Sequence, residues 1–163
     1  MRRLSTIWKN TWLMHSARTA IAAAISLAVA GLFNMPEAYW APISTIIVMQ
    51  STLGAAWAVS KQRFIGTVLG ALFGGLLASY FEPQIVIFGA AIFALGLICA
   101  ILHLDQSAYR FAGVTFAIIL LVTRAEPAWL IALHRFVEVS AGIVVGLAVS
   151  ALGRGQSLTR TAE

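Results

Sequence analysis

Charge is what this chain has least of. Only 10% of its 163 residues are Asp, Glu, Lys or Arg, and just 6 of those are acidic, against roughly 25% charged residues in soluble domains. A water-facing surface of ordinary size cannot be covered with so few, which excludes a soluble globular protein. A single cysteine excludes an internal disulfide, and Cys99 lies in an apolar run where it reads as a small buried hydrophobe. The 3 histidines, the cysteine and the acids fall at no metal-ligand spacing. No serine or cysteine nucleophile has a base on a plausible helix face. No metal, no cofactor and no enzyme activity are therefore expected.

What the chain has in abundance is apolar length. Hydrophobic residues make up 60% of it, and the mean hydropathy is +0.89. This is the composition of an integral membrane protein with the lipid bilayer as its solvent. The formal charge of +5 is spread among hydrophobic segments and forms no solvated stripe, so it argues for membrane orientation and against a nucleic-acid partner.

The expected fold is all-α: a polytopic membrane bundle of about six transmembrane helices, preceded by a short interfacial helix. Residues 1–16 are basic, with Leu4, Ile7, Trp8 and Trp12 near one helical face, and read as a cytoplasmic amphipathic segment. The transmembrane domain covers residues 17–152, with crossings expected at 17–33, 39–58, 62–80, 85–102, 108–123 and 128–152. Residues 153–163 form a polar cytoplasmic tail. Pro42 falls in the first turn of the second crossing, where a missing N–H costs little, and Lys61 and Arg63 close a short turn after it. The fifth crossing is short, so it spans only if Arg110 and Arg124 snorkel or face protein. Placing both termini in the cytoplasm gathers Arg2, Arg3, Lys9, Arg18, Lys61, Arg63, Arg110, Arg154 and Arg160 on that side and Glu37, Glu82 and Glu126 outside. That satisfies the positive-inside rule for a multi-pass protein of the cell inner membrane.

One pattern occurs twice. Arg63-Phe64 is followed at four-residue steps by Gly66, Gly70, Gly74 and Ala78, and Arg135-Phe136 by Glu138, Gly142, Gly146 and Ser150. Small residues at this spacing let two helix backbones approach closely, so Gly66, Gly70, Gly74, Gly142 and Gly146 are assigned to helix packing. Three crossings separate the copies, which predicts two inverted three-helix repeats.

Ionisable residues inside membrane helices are costly and mark functional sites unless they pair with one another. His134, Arg135 and Glu138 lie within the last crossing. Arg135 and Glu138, three apart, share a face and either neutralise each other or frame a carboxylate-binding site, the guanidinium fork matching the two carboxylate oxygens. Arg63, the mate of Arg135, either sets topology at the cytoplasmic boundary or gathers anions in a vestibule. In the second helix, Ser44, Thr45, Gln50, Ser51 and Thr52 form a polar face. Gln50 is the member that seeks a partner or water. The candidate substrate-binding set is Arg135, Glu138, His134, Arg63 and Gln50.

The stretch Tyr39-Trp40-Ala41-Pro42-Ile43-Ser44, then Val48-Met49-Gln50-Ser51-Thr52, then Arg63-x-x-Gly66-Thr67-x-x-Gly70-Ala71 resembles the fusaric acid resistance and aromatic acid exporter superfamily, as does Arg135-x-x-Glu138-x-x-x-Gly142. The similarity runs from about Arg18 to about Leu152. It implies a six-helix membrane unit, duplicated and joined to cytoplasmic domains in larger relatives, with efflux of aromatic carboxylic acids as the usual role. Plant malate channels of related architecture imply a dimeric anion pathway lined by basic residues. With one unit and almost no cytoplasmic tail, this chain is expected to pair with itself. The resulting expectation is a homodimeric exporter of small organic anions; the alternatives are a passive organic-anion channel and a non-transporting accessory subunit.

Overall fold

The computed structural model describes residues 2–122 and 126–159, with side chains for 12–122 and 126–152. Six helices follow in order: α1 (Arg2–Leu32), α2 (Trp40–Val48), α3 (Leu53–Tyr80), α4 (Ile85–Ile101), α5 (Gln106–Leu121) and α6 (Ala128–Thr159). Among the described residues there is no strand. The protein is an all-helical membrane bundle. Three segments, Trp12–Leu32, Leu53–Tyr80 and Ala128–Leu152, are long and apolar enough to cross a bilayer, while α4 and α5 are apolar but shorter.

Three boundaries differ from the sequence expectation, one being the end of the last crossing, expected at 152 before a polar tail, where α6 continues to Thr159. The second crossing, expected over 39–58, is a nine-residue helix, about 13 Å long and too short to cross alone. The chain then extends at Met49 (ψ 106°), and α3 starts at Leu53 and runs without a turn through Lys61 and Arg63. Polar side chains hold the break. Gln50 Nε2 donates to Ile47 O at 3.0 Å, serving a carbonyl the helix end leaves open. Thr52 Oγ1 accepts the Ala55 N–H at 3.2 Å, which caps the start of α3. The apolar residues on both sides had masked this corner. The expected separate segment at 1–16 is instead continuous with the first crossing in α1, because no glycine, proline or cap interrupts the chain near Ser16. The side chains of residues 1–11 and 153–159, the expected loop residues Arg124 and Ala125, and residues 160–163 lie outside the described set.

The chain divides into two compact units, residues 1–57 with 141–163 and residues 58–140. In the first, α1 packs on α2, and α1 buries a stripe of small residues at four-residue steps, Ala22, Ser26 and Ala30. The second has its core on Ala91, Leu95, Ala112, Phe116 and Leu120. Phe116 stacks on Phe88 at 5.9 Å and meets Phe73 at 5.8 Å. Cys99 continues the buried α4 stripe of Ala91 and Leu95, as the sequence predicts for a small hydrophobe.

The same local devices recur in the two halves of the chain. α1 and α4 both end in a Schellman motif. Met35 N–H donates to Ala30 O and Leu104 N–H to Cys99 O, with Asn34 (φ 48°) and His103 (φ 53°) in the left-handed conformation between. α2 and α5 both end in an extended residue, Met49 and Val122, whose N–H still reaches back to Thr45 O and Ile118 O.

The glycine columns match as well. In one unit a methyl on Gly70 would strike the Ala112 carbonyl and Thr115 Cβ, and one on Gly74 would meet Ile119. In the other, a methyl on Gly142 would strike the Ala41 carbonyl and Ser44 Cβ, and one on Gly146 would meet Val48. α5 therefore stands to α3 as α2 stands to α6, side by side and running the same way. The packing role assigned to the glycines rests on these contacts, and Gly66 adds one more, against Ala108 and Phe111.

Candidate functional site

Three ionisable side chains are shut inside the unit of residues 58–140. Arg63 is 6% exposed, Arg135 1% and Glu138 0%. Arg63 sits about 15 Å into α3, at 1.5 Å per residue from Leu53. Its guanidinium lies over the Phe111 ring, 5.0 Å from the centroid. That cation–π contact offsets part of the desolvation of the charge. Gln62, one residue before, donates to Asp105 Oδ2 at 2.8 Å and ties this level of α3 to the start of α5. Thr67 Oγ1 donates to Arg63 O at 2.8 Å, so its hydroxyl stays within the helix.

Arg135 and Glu138 come from α6. Nη1 and Oε2 are 3.9 Å apart, within ion-pair range but longer than the 2.7–2.9 Å of a charge-assisted hydrogen bond. The i,i+3 pairing foreseen from the sequence is thus present as an electrostatic contact. Arg63 joins it: the two guanidinium groups are within electrostatic reach of each other. The residues that follow them, Phe64 and Phe136, meet at 5.5 Å between ring centroids. The two copies of Arg-Phe, far apart in the sequence, therefore come together here. Arg63 is buried, whereas its neighbour Lys61 is exposed.

The other candidates lie elsewhere. His134 is only partly buried, and its Nδ1 is 3.6 Å from Glu126 Oε2 near the head of α6. Ser44 and Thr45 are buried and turn their hydroxyls to their own helix, Ser44 Oγ to Trp40 O at 2.8 Å. Thr45 Oγ1 lies 3.1 Å from Ala41 O and 2.9 Å from Gly142 O, so it also links α2 to α6. Gln50 holds the α2–α3 corner and lines a cavity of about 340 Å³ with Arg18, Ser51, Thr52, Leu53, Gly54 and Ser150. Sequence reading saw Gln50 but placed it mid-helix, and it gave Arg18 to the membrane boundary. The clue to both was the polar run Gln50-Ser51-Thr52 read as a helix start.

A larger cavity, about 650 Å³, lies in the unit of residues 58–140 among Val68, Leu72, Leu76, Trp129, Leu133 and Phe136. Its lining offers no counter-charge to an anion. Among the described residues, no group of three His, Cys, Asp or Glu side chains comes together to hold a metal.

Among the described residues this all-helical membrane bundle buries two arginines and two glutamates, Glu37 and Glu138, and ionisable residues inside a membrane protein mark functional sites. The chain belongs to the fusaric acid resistance protein-like family, whose sequence pattern matches residues 20–149. It is 33% identical over 141 residues to a protein of Escherichia coli strain K12 named as an uncharacterized transporter, YdhK, covering 81% of this chain and 21% of that protein. Over 152 residues it is 26% identical to the Synechocystis protein slr1298, covering 91% of this chain and 20% of the other. The inner membrane protein YeeA of Escherichia coli K12 is 29% identical over 121 residues, covering 69% of this chain and 33% of YeeA. The chain thus spans about a fifth to a third of the length of these relatives. No solved structure matches it.

Proposed function

We propose that the protein moves small organic anions, aromatic carboxylates in particular, across the inner membrane, and that Arg63, Arg135 and Glu138 form the element that admits them. The observation that carries this reading is the burial of all three in one unit. Each costs a few kcal/mol to hold in a membrane protein, and glycine packing already holds the helices without them. Two guanidinium groups drawn together repel, and a carboxylate between them would relieve that repulsion through the planar donor fork that each guanidinium carries. Glu138 then acts as the resident counter-charge, which a substrate carboxylate displaces.

The anion reading draws on the family as well, since the resemblance implies aromatic acid efflux. The inverted relation of the two repeats, the homodimer and the cytoplasmic placement of both termini belong to the same proposal. Matching helix ends and glycine contacts support a repeat. The positions of Glu37, Glu82 and Glu126, all in corners between helices, support the orientation. Light scattering of the purified protein tests the dimer, and a reporter fused to the C-terminus tests the orientation.

Purified protein in liposomes loaded with labelled benzoate gives the functional test. Arg135→Gln is expected to reduce flux to the level of empty liposomes, with insertion and helix content retained. Arg135→Lys is expected to recover only part of it, because the charge remains but the fork is lost. Wild-type flux in Arg135→Gln would remove that arginine from the pathway. Accumulation of benzoate against its own gradient separates a coupled exporter from a passive conduit.

A further inference from the structure

The cavity at the α2–α3 corner holds a cation that the buried cluster does not use. Arg18 reaches it from α1, half-buried, with Nη2 donating to Val149 O at 3.3 Å. Gln50, Ser51 and Thr52 bring an amide and two hydroxyls, and Ser150 a buried hydroxyl whose Oγ is 3.4 Å from Met49 Sδ. At about 340 Å³ the space is of the size that takes a small molecule. Gly54 borders it with open space where a side chain would stand.

The second half of the chain shows that the fold does not require these polar groups. Counting back equally from the two Schellman ends puts Ile87 where α1 has Arg18. Registering α5 on α2 by their glycine contacts puts Leu121 and Val122 where Gln50 and Ser51 stand, and registering α3 on α6 puts Ala78 where Ser150 stands. Four of the five polar positions thus have apolar counterparts in a half that packs its glycines the same way, and the fifth, Thr52, falls opposite Thr123 in the sequence. Residues demanded by the close glycine packing would recur in both halves, and these four do not.

We propose that this cavity is a binding site for a small carboxylate, made of Arg18, Gln50, Ser51, Thr52 and Ser150 and distinct from the cluster of Arg63, Arg135 and Glu138. Arg18 supplies the charge and the planar fork, while the hydroxyls and the amide donate to the remaining lone pairs. The start of α3, at Leu53 and Gly54, borders the same space, the place where broken helices of transporters meet anionic groups. The site binds its ligand whether or not the buried cluster conducts one.

A thiol placed at the cavity wall reads the site directly. Gly54→Cys, combined with Cys99→Ala in the full-length protein in detergent, is expected to react about tenfold faster with a negatively charged methanethiosulfonate than with a positively charged one, after correction for their intrinsic rates. Benzoate at millimolar concentration is expected to slow the negative reagent several-fold. Adding Arg18→Gln is expected to erase both the preference and the protection, whereas adding Arg135→Gln leaves both in place even where liposome flux is lost. Equal rates for the two reagents, or no protection by benzoate, overturns the site. If the Arg18→Gln protein fails to fold, Gln50→Leu, which installs the apolar counterpart, takes its place, and undiminished protection in that variant also overturns it.

Discussion

The two halves of the chain, α1–α2–α3 and α4–α5–α6, solve the same packing problem with the same devices and carry different chemistry. Asn34 and His103 close the first helix of each half in one left-handed residue. Met49 and Val122 end the second in one extended residue. Gly142 and Gly70 admit the backbone of the second helix at Ala41 and Ala112. An aromatic residue precedes each of those alanines, Trp40 and Phe111. Against this common frame, Gln50 and Ser51 have Leu121 and Val122 as their counterparts by the glycine contacts, and the four-residue stripe begins with Gly66 in one copy and Glu138 in the other. What is shared reports what the bundle requires to hold together. What is not shared is where selection for a solute has room to act.

The largest effect expected is therefore a paired one. Gly70→Leu and Gly142→Leu should both prevent normal assembly, because each new side chain would run into a helix carbonyl, Ala112 O or Ala41 O, that cannot swing aside. Overpacking a core commonly costs about 1–3 kcal/mol, and an obstruction made of backbone lies at or beyond the top of that range. Monodisperse yield on size exclusion is the measurement. If one variant assembles normally and the other does not, the equivalence of the two helix pairs is broken at that point.

Much of this frame was legible in the residues. Four-residue glycine steps specify close helix contact irrespective of what lies opposite, so the columns and their packing role were readable, as was the Arg135–Glu138 neighbourhood from i,i+3 spacing. The partners were not readable. Nothing in the order of residues says that Gly70 meets Ala112 or that Phe64 meets Phe136, because those contacts are set by how separate helices pack. The corner at Met49–Thr52 was missed for a different reason. An apolar run longer than one crossing contains no composition signal for where it breaks, and the signal that did exist was a threonine cap. That cap follows the helix-start rule, but hydropathy outweighed it. The same error put Arg63 in a turn, when it is buried in the interior of α3.

An intermediate effect is expected at Phe111, whose ring lies beneath the Arg63 guanidinium. Phe111→Leu keeps an apolar side chain but loses the ring face, and should lower thermal stability by about 1–2 kcal/mol, the range for a desolvated cation–π contact. Much of that cost should disappear when Arg63 is already glutamine. A double-mutant cycle read by thermal melting isolates the coupling. An unchanged cost in the Arg63→Gln background would assign it to packing against Ala112 and Gly66, and would leave the arginine without energetic dependence on the ring.

The smallest effect expected belongs to the corner between α2 and α3. Thr52→Ala removes the oxygen that accepts the Ala55 N–H, and the loss of a helix N-cap costs about 1 kcal/mol. The bond is exposed and lies at a helix end, so the penalty should be paid locally, by fraying of the first turn of α3, and not by the whole bundle. Hydrogen exchange should therefore speed up about fivefold for amides at residues 53–57, with melting almost unmoved. A global drop in melting comparable to the glycine variants would show that the corner belongs to the cooperative frame after all.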